Sequence, residues 1–209
     1  MQKTTVGILI YNNVEVLDFT GPYEVFSVTR LKNKPEFTDL SPFKILLISE
    51  YPRPVTAMGG MKTIPDHTFE DCPKLDILIV PGGLGERTEH ENHVILHFLR
   101  SRARKVKTLA SVCTGAFFLG KAGLLNGRKA TTHFLSLGRM RDLFPGVDVI
   151  EDEHVVEDGE IFTSAGISAG IDMALRVVAE HFGEDTARLT AREMEYPYPE
   201  NNKRKVSIK

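Results

Sequence analysis

Four stretches of the chain, 6–11, 43–49, 75–80 and 105–112, carry dense apolar runs, and between most of them apolar positions recur every three or four residues. Runs this short, bounded by Asn, Gly and Pro, predict buried strands, and the longer periodic stretches predict helices. The first helix is expected to open at Gly21, with Pro22 at its first position and Glu24 at its third, and to run through Val28. Further helices are predicted over 92–104, 115–125, 135–143, 166–178 and 184–194, with short strands at 128–132 and 147–150. Two hairpins complete the pattern, one turning on Met58-Gly59-Gly60-Met61 and one on Asp158-Gly159. Strands that alternate with helices predict an α/β fold, a mainly parallel sheet covered on both faces.

At 209 residues, 42% of them hydrophobic and 26% charged, the chain suits one domain over 1–195. Tyr196-Pro-Tyr-Pro-Glu-Asn-Asn202 breaks the final helix, so 196–209 is expected to be a C-terminal tail whose basic end is mobile. A net charge of −2, with basic residues scattered until Lys203-Arg204-Lys205, argues against a nucleic-acid groove. No apolar run nears the roughly 20 residues of a membrane span. The chain begins directly in a strand, without the features of a signal peptide, and its two cysteines stand in unrelated contexts. These features lead us to expect a cytoplasmic protein with free thiols and no membrane partner.

Ligands of open parallel sheets bind beyond the carboxyl ends of the strands, which directs attention to Asp18, Gly82-Gly83 and Cys113. Cys113 falls where a strand gives way to a helix, and the N–H groups of a helix N-terminus favour a thiolate nucleophile. The alternative is a small buried hydrophobe. Asp18, set among Val16, Leu17 and Phe19, would be costly as a carboxylate unless hydrogen-bonded or protonated; it could also simply cap the Thr20–Glu24 turn. A glycine pair lets backbone N–H groups approach developing negative charge. His90, His93 and His97 would share a face of one continuous helix, a metal-binding alternative that lacks an acidic or cysteine ligand at a defined spacing. Cys72, beside Asp71 and Pro73, is expected to be incidental.

The segments Leu17-Asp-Phe-Thr-Gly-Pro-Tyr-Glu-Val-Phe26, Ile79-Val-Pro-Gly-Gly83, Ser111-Val-Cys-Thr-Gly-Ala116, Ala122 to His133 and Thr163 to Asp172 resemble the DJ-1/PfpI (ThiJ/PfpI) superfamily, and within it the isonitrile hydratase branch. The resemblance implies a flavodoxin-like, doubly wound sheet sandwiched by helices, a homodimer, and no cofactor or metal. It also implies a Cys113 nucleophile with Asp18 as acidic partner, and an anion pocket made by the backbone N–H groups of Gly83 and Thr114. Gly82, His133 and Ile167 would support them. The reaction implied is hydration of a small electrophile, an isonitrile, through a Cys113 thioimidate. A cysteine-based sensor or binding protein, and glyoxalase-like action on small aldehydes, are the alternatives. Thr114 stands where peptidase and glyoxalase relatives carry histidine, which weighs against both chemistries. Phe19, Tyr23, Phe134 and Ile167 are candidates for lining the pocket, and each could equally be core.

Overall fold

The computed structural model describes residues 2–31 and 41–206. In chain order the elements are β1 (Thr4–Leu9), α1 (Val16–Val28), β2 (Phe43–Ser49), β3 (Val55–Thr56), β4 (Lys62–Thr63), β5 (His67–Thr68), β6 (Ile77–Val80), α2 (Glu86–Glu89), α3 (His93–Ala103) and β7 (Thr108–Val112). They continue with α4 (Ala116–Lys121), β8 (Lys129–Ala130), α5 (Leu137–Leu143), β9 (Asp148–Val149), β10 (Val155–Asp158), β11 (Ile161–Ser164), α6 (Ala169–Phe182) and α7 (Glu184–Glu193).

Seven strands join one sheet in the order β10–β11–β7–β6–β1–β2–β5, parallel throughout except for the β10–β11 hairpin. Every residue of β6 and β7 is buried, as expected of central parallel strands covered on both faces. Helices α1, α6 and α7 pack on one another as one layer, and α3 and α4 as another. Phe19, Phe26, Phe117 and Phe118 are among the largest side chains in the core. The flavodoxin-like α/β class read from the sequence is the class observed. From β1 the sheet grows in both directions, to β2 on one side and β6 on the other, so the β1–β6 junction is a topological switch point.

Three helix boundaries differ from the sequence pattern. α1 begins at Val16, with the Glu15 carboxylate accepting its first N–H at 3.2 Å, and Pro22 lies inside it. Proline there forfeits one i→i−4 bond, the one to the Asp18 carbonyl, while Thr20 Oγ1 donates to the Val16 carbonyl at 2.8 Å. Asp18 therefore sits in the first helical turn instead of preceding the helix. The elbow helix is short, a 3₁₀ turn over Cys113–Gly115 followed by α4. α6 starts at Ala169, leaving Gly166 and Ile167 in a turn whose Ile167 has φ 54°.

The hairpin around Met58–Gly60 forms as predicted and rests on the loop after β1, through Asn13 N–H to Thr56 O and Met58 N–H to Val14 O. The basic end, expected to be mobile, is instead hydrogen-bonded to the body of the protein at Arg204, as is Asn202 before it; 207–209 lie outside the described residues. Among the described residues, no helix is long and apolar enough to cross a membrane.

Candidate active site

Asp18, Gly82-Gly83 and Cys113 converge at the switch point. The Asp18 carboxyl is fully buried, and its Oδ2 accepts the Gly82 N–H at 2.9 Å. It caps no helix turn of its own, so the capping alternative fails. Its Oδ1 is buried with no hydrogen-bond partner among the described residues. Burial, reinforced by the Glu15 charge, pushes the carboxyl up to about 8, although the Gly82 N–H, the Cys113 side chain and the Ile167 N–H all favour the carboxylate.

Cys113 adopts φ 57°, a left-handed conformation that costs a residue bearing a Cβ about 1–3 kcal/mol. Bonds on both sides hold it there: its N–H donates to Ala165 O at 3.1 Å, and Thr132 Oγ1 donates to its carbonyl at 2.7 Å. Close packing of the elbow on β6 demands Gly115, where an added Cβ would fall 2.0 Å from the Val80 carbonyl. Cys113 is 6% exposed. Burial first, and the Asp18 charge second, drive the thiol well above its ordinary range, while the N–H groups of Thr114 and Ile167 pull it down. Desolvation and the neighbouring carboxyl thus oppose the pull toward thiolate that the helix-start donors exert.

The two donors expected to form the anion pocket separate. Thr114 N–H faces the sulfur. Gly83 N–H instead donates to Thr114 Oγ1 at 3.1 Å, so in this state it holds the threonine hydroxyl and does not point freely into the crevice. The Ile167 N–H is a further backbone group that favours the charged form of both Cys113 and Asp18. Gly82 is required by space: an added Cβ would lie 2.5 Å from Thr114 Oγ1 and 3.0 Å from Asp18 Oδ2. Gly82→Ala is expected to destabilise the fold by about 1–3 kcal/mol, read as a lower urea midpoint with unchanged slope, and to reduce activity more than stability.

His133 is placed beside the elbow. Its Nδ1 accepts the Leu135 N–H at 3.3 Å, and its ring covers Gly166, where an added Cβ would meet Cδ2 at 2.0 Å. Burial, then the Arg204 charge, lower its pKa, so it is neutral and suited to packing. Of the lining candidates, Phe19 is core, whereas Tyr23 and Ile167 are partly exposed. Leu84 and Leu135, next in sequence to Gly83 and close to His133, are exposed. The histidine trio does not share a helix, because α3 begins at His93 while the His90 ring lies on Glu86. No group of three or more metal-ligating side chains occurs among the described residues.

Residues the sequence pattern did not single out complete the site. Tyr11, fully buried at the end of the first apolar run, donates its hydroxyl to Pro81 O at 2.9 Å. Burial and the nearby Asp18 and Glu86 charges raise its pKa, so it remains a neutral wall. Thr132 and Ala165 act through the backbone of Cys113, which no side-chain pattern reveals.

The DJ-1/PfpI family pattern matches residues 4–180, from the first strand almost to the end of α6. The chain belongs to the DJ-1/PfpI family. Among its relatives is the isonitrile hydratase of Pseudomonas putida, 41% identical over 192 residues that make up 91% of this chain and 78% of that one. Another is the HTH-type transcriptional regulator GbdR of Pseudomonas aeruginosa, 30% identical over 87% of this chain but only 47% of the regulator. The crystal structure of a ThiJ/PfpI family protein from Pseudomonas syringae superposes with a TM-score of 0.80 and 33% identity, covering 97% of this chain and 79% of that one. This DJ-1/PfpI fold thus occurs in a relative named as an enzyme and in one named as a regulator.

Proposed function

We propose that the protein is a cysteine-dependent hydratase that adds water to an isonitrile, R–N≡C, to give an N-substituted formamide. The observation that carries this reading is the fully buried Asp18 carboxyl brought to the Cys113 elbow, its Oδ2 on the Gly82 N–H and only Gly82 between it and Thr114; burial raises the pKa of both groups. The 41% identity to an isonitrile hydratase supports the choice of substrate class.

The chemistry follows from the proton count of the pair. Below about pH 8 both groups are protonated; above it the pair holds one proton and one negative charge. In the competent form the charge is on sulfur and the proton on Asp18. The thiolate attacks the terminal carbon, Asp18 delivers its proton to that same carbon, and a thioimidate, R–N=CH–S–Cys113, results. The Asp18 carboxylate then takes a proton from water as its oxygen adds to the carbon, and passes that proton to nitrogen. In the last step Asp18 removes the hydroxyl proton, the carbonyl forms, and the thiolate leaves, which restores the starting pair. N–H groups of Thr114 and Ile167 facing the sulfur would stabilise it as attacking and leaving group.

Purified protein incubated with para-nitrophenyl isocyanide is expected to release the formamide in multiple turnovers, and to leave methylglyoxal unchanged. Turnover of methylglyoxal alone would replace the hydratase with a glyoxalase-like enzyme. Turnover of neither would favour a sensor or binding protein, a reading supported by the near-complete burial of Cys113 and by the regulator relative.

A further inference from the structure

Asn202 to Lys205 lie beyond the residues matched to the family pattern, yet their hydrogen bonds lead to the elbow by separate routes. Asn202 pairs with the start of β10: its carbonyl accepts the His154 N–H at 2.8 Å, its Oδ1 accepts the Val155 N–H at 3.0 Å, and its Nδ2 donates to Val155 O at 2.7 Å. The His154 carbonyl accepts the Ala165 N–H at 2.9 Å, and the Ala165 carbonyl accepts the Cys113 N–H at 3.1 Å. Arg204 takes the other side. Its Nη2 donates to Thr131 Oγ1 at 2.6 Å and to Thr132 O at 3.2 Å, its Nε donates to Glu151 O at 2.6 Å, and Thr132 Oγ1 donates to the Cys113 carbonyl at 2.7 Å. Lys205 Nζ lies 2.7 Å from Asp172 Oδ2, in the first turn of α6, and that buried carboxylate also accepts the Tyr196 hydroxyl at 2.7 Å and stands 3.1 Å from His154 Nε2.

The N–H and the C=O of Cys113 are thus each held by a residue that this segment, directly or through one intermediary, holds in turn. Such a bracket is what a strained φ of 57° requires, since left-handed backbone at a residue with a Cβ persists only where its surroundings over-determine it. We propose that Asn202–Lys205 form a clamp that positions Cys113 for reaction, with Arg204 as its main positioning residue. The inference rests on Cys113 being the reactive thiol of the proposed function, but not on the substrate being an isonitrile.

The test compares the full-length parent with Arg204→Gln and Arg204→Lys. Iodoacetamide labelling of Cys113, located by peptide mass spectrometry, is followed against pH, beside thermal midpoints and isonitrile turnover. Loosening the elbow lets the sulfur drift from the Thr114 and Ile167 donors, so Arg204→Gln, still folded, is expected to shift the labelling midpoint up by about one pH unit. Its kcat should fall roughly 10-fold, with KM changing less than about twofold. Arg204→Lys should recover part of both, since an ammonium can hold one carbonyl but not the whole fork of acceptors. If Arg204→Gln does not fold, the same shift, smaller, is read from Arg204→Lys. A labelling profile superimposable on the parent's overturns the clamp. So does labelling that is faster at every pH with its midpoint in place, which would make the segment a cover. A parent that labels but hydrates no isonitrile, with the midpoint shifted in Arg204→Gln, supports the clamp and overturns the hydratase; a parent Cys113 that never labels overturns both.

Discussion

Replacing Cys113 with alanine is expected to reduce isonitrile turnover by at least about 10⁴-fold while the protein remains folded. The thioimidate cannot form without sulfur, and the N–H groups facing that position have no bonded intermediate to stabilise. Alanine should be tolerated: it occupies a subset of the cysteine's volume, and its strain at φ 57° is no greater. The structural loss should be about 1 kcal/mol, the scale of one small buried group. Intact mass spectrometry under turnover supplies a second readout. The parent should show a species heavier by one substrate molecule, and Cys113→Ala should not. Turnover of the alanine variant at parental rates would remove covalent catalysis from consideration.

Asp18→Asn is expected to lower kcat/KM by about 10²–10⁴, the range for loss of a positioned acid–base group, and to leave a pH dependence set by the Cys113 thiol alone. In the parent, kcat/KM should climb about tenfold per pH unit toward a plateau above about pH 8, as the pair loses its first proton. Asparagine has no proton to lose, so in the variant only the thiol's own ionisation shapes the profile. The same substitution separates stability from activity. The Asp18 pKa is about 8 in the folded protein against an ordinary 3.8, so between those values the folded chain keeps a proton that the unfolded chain releases. The parent therefore loses stability as pH rises through that window, by at most about 6 kcal/mol at about 1.4 kcal/mol per unit, and by less as neighbouring groups relax. Asp18→Asn should be close to the parent in urea midpoint near the acid end of the window and more stable at its alkaline end. A constant difference across the window would mean that the carboxyl is not held protonated.

Most of the framework was legible because burial leaves a direct mark on sequence. Continuous apolar runs such as Ile77–Val80 have few readings other than a central strand, and the glycine pair 82–83 announced close approach. The helix boundaries were harder, for opposite reasons. Pro22 reads as a first helical residue, yet α1 tolerates it seven residues in, because the core contacts of Phe19, Val25 and Phe26 outweigh one missing bond. Gly166-Ile167 fits a helical period, yet it turns left-handed to aim an N–H at the crevice, a backbone role open to almost any side chain. The forces acting on the Cys113 proton were only half legible for a related reason. A helix start is visible in a sequence, whereas the desolvation that opposes it depends on Asp18, Tyr11 and the β6 turn meeting in space. The segment after α7 carried the polar and proline signals of a tail, and its anchoring on Thr131, Thr132 and His154 is entirely long-range.

The coupling of Cys113 to Asp18 can be measured most directly by following thiolate ultraviolet absorbance against pH in a Cys72→Ser protein, with and without Asp18→Asn. The carboxylate charge raises the thiol pKa, so removing it should move the Cys113 titration to lower pH, leaving it still above that of an exposed thiol because burial remains. Superimposable curves would mean that the two groups do not share a proton, and the mechanism built on them would fail.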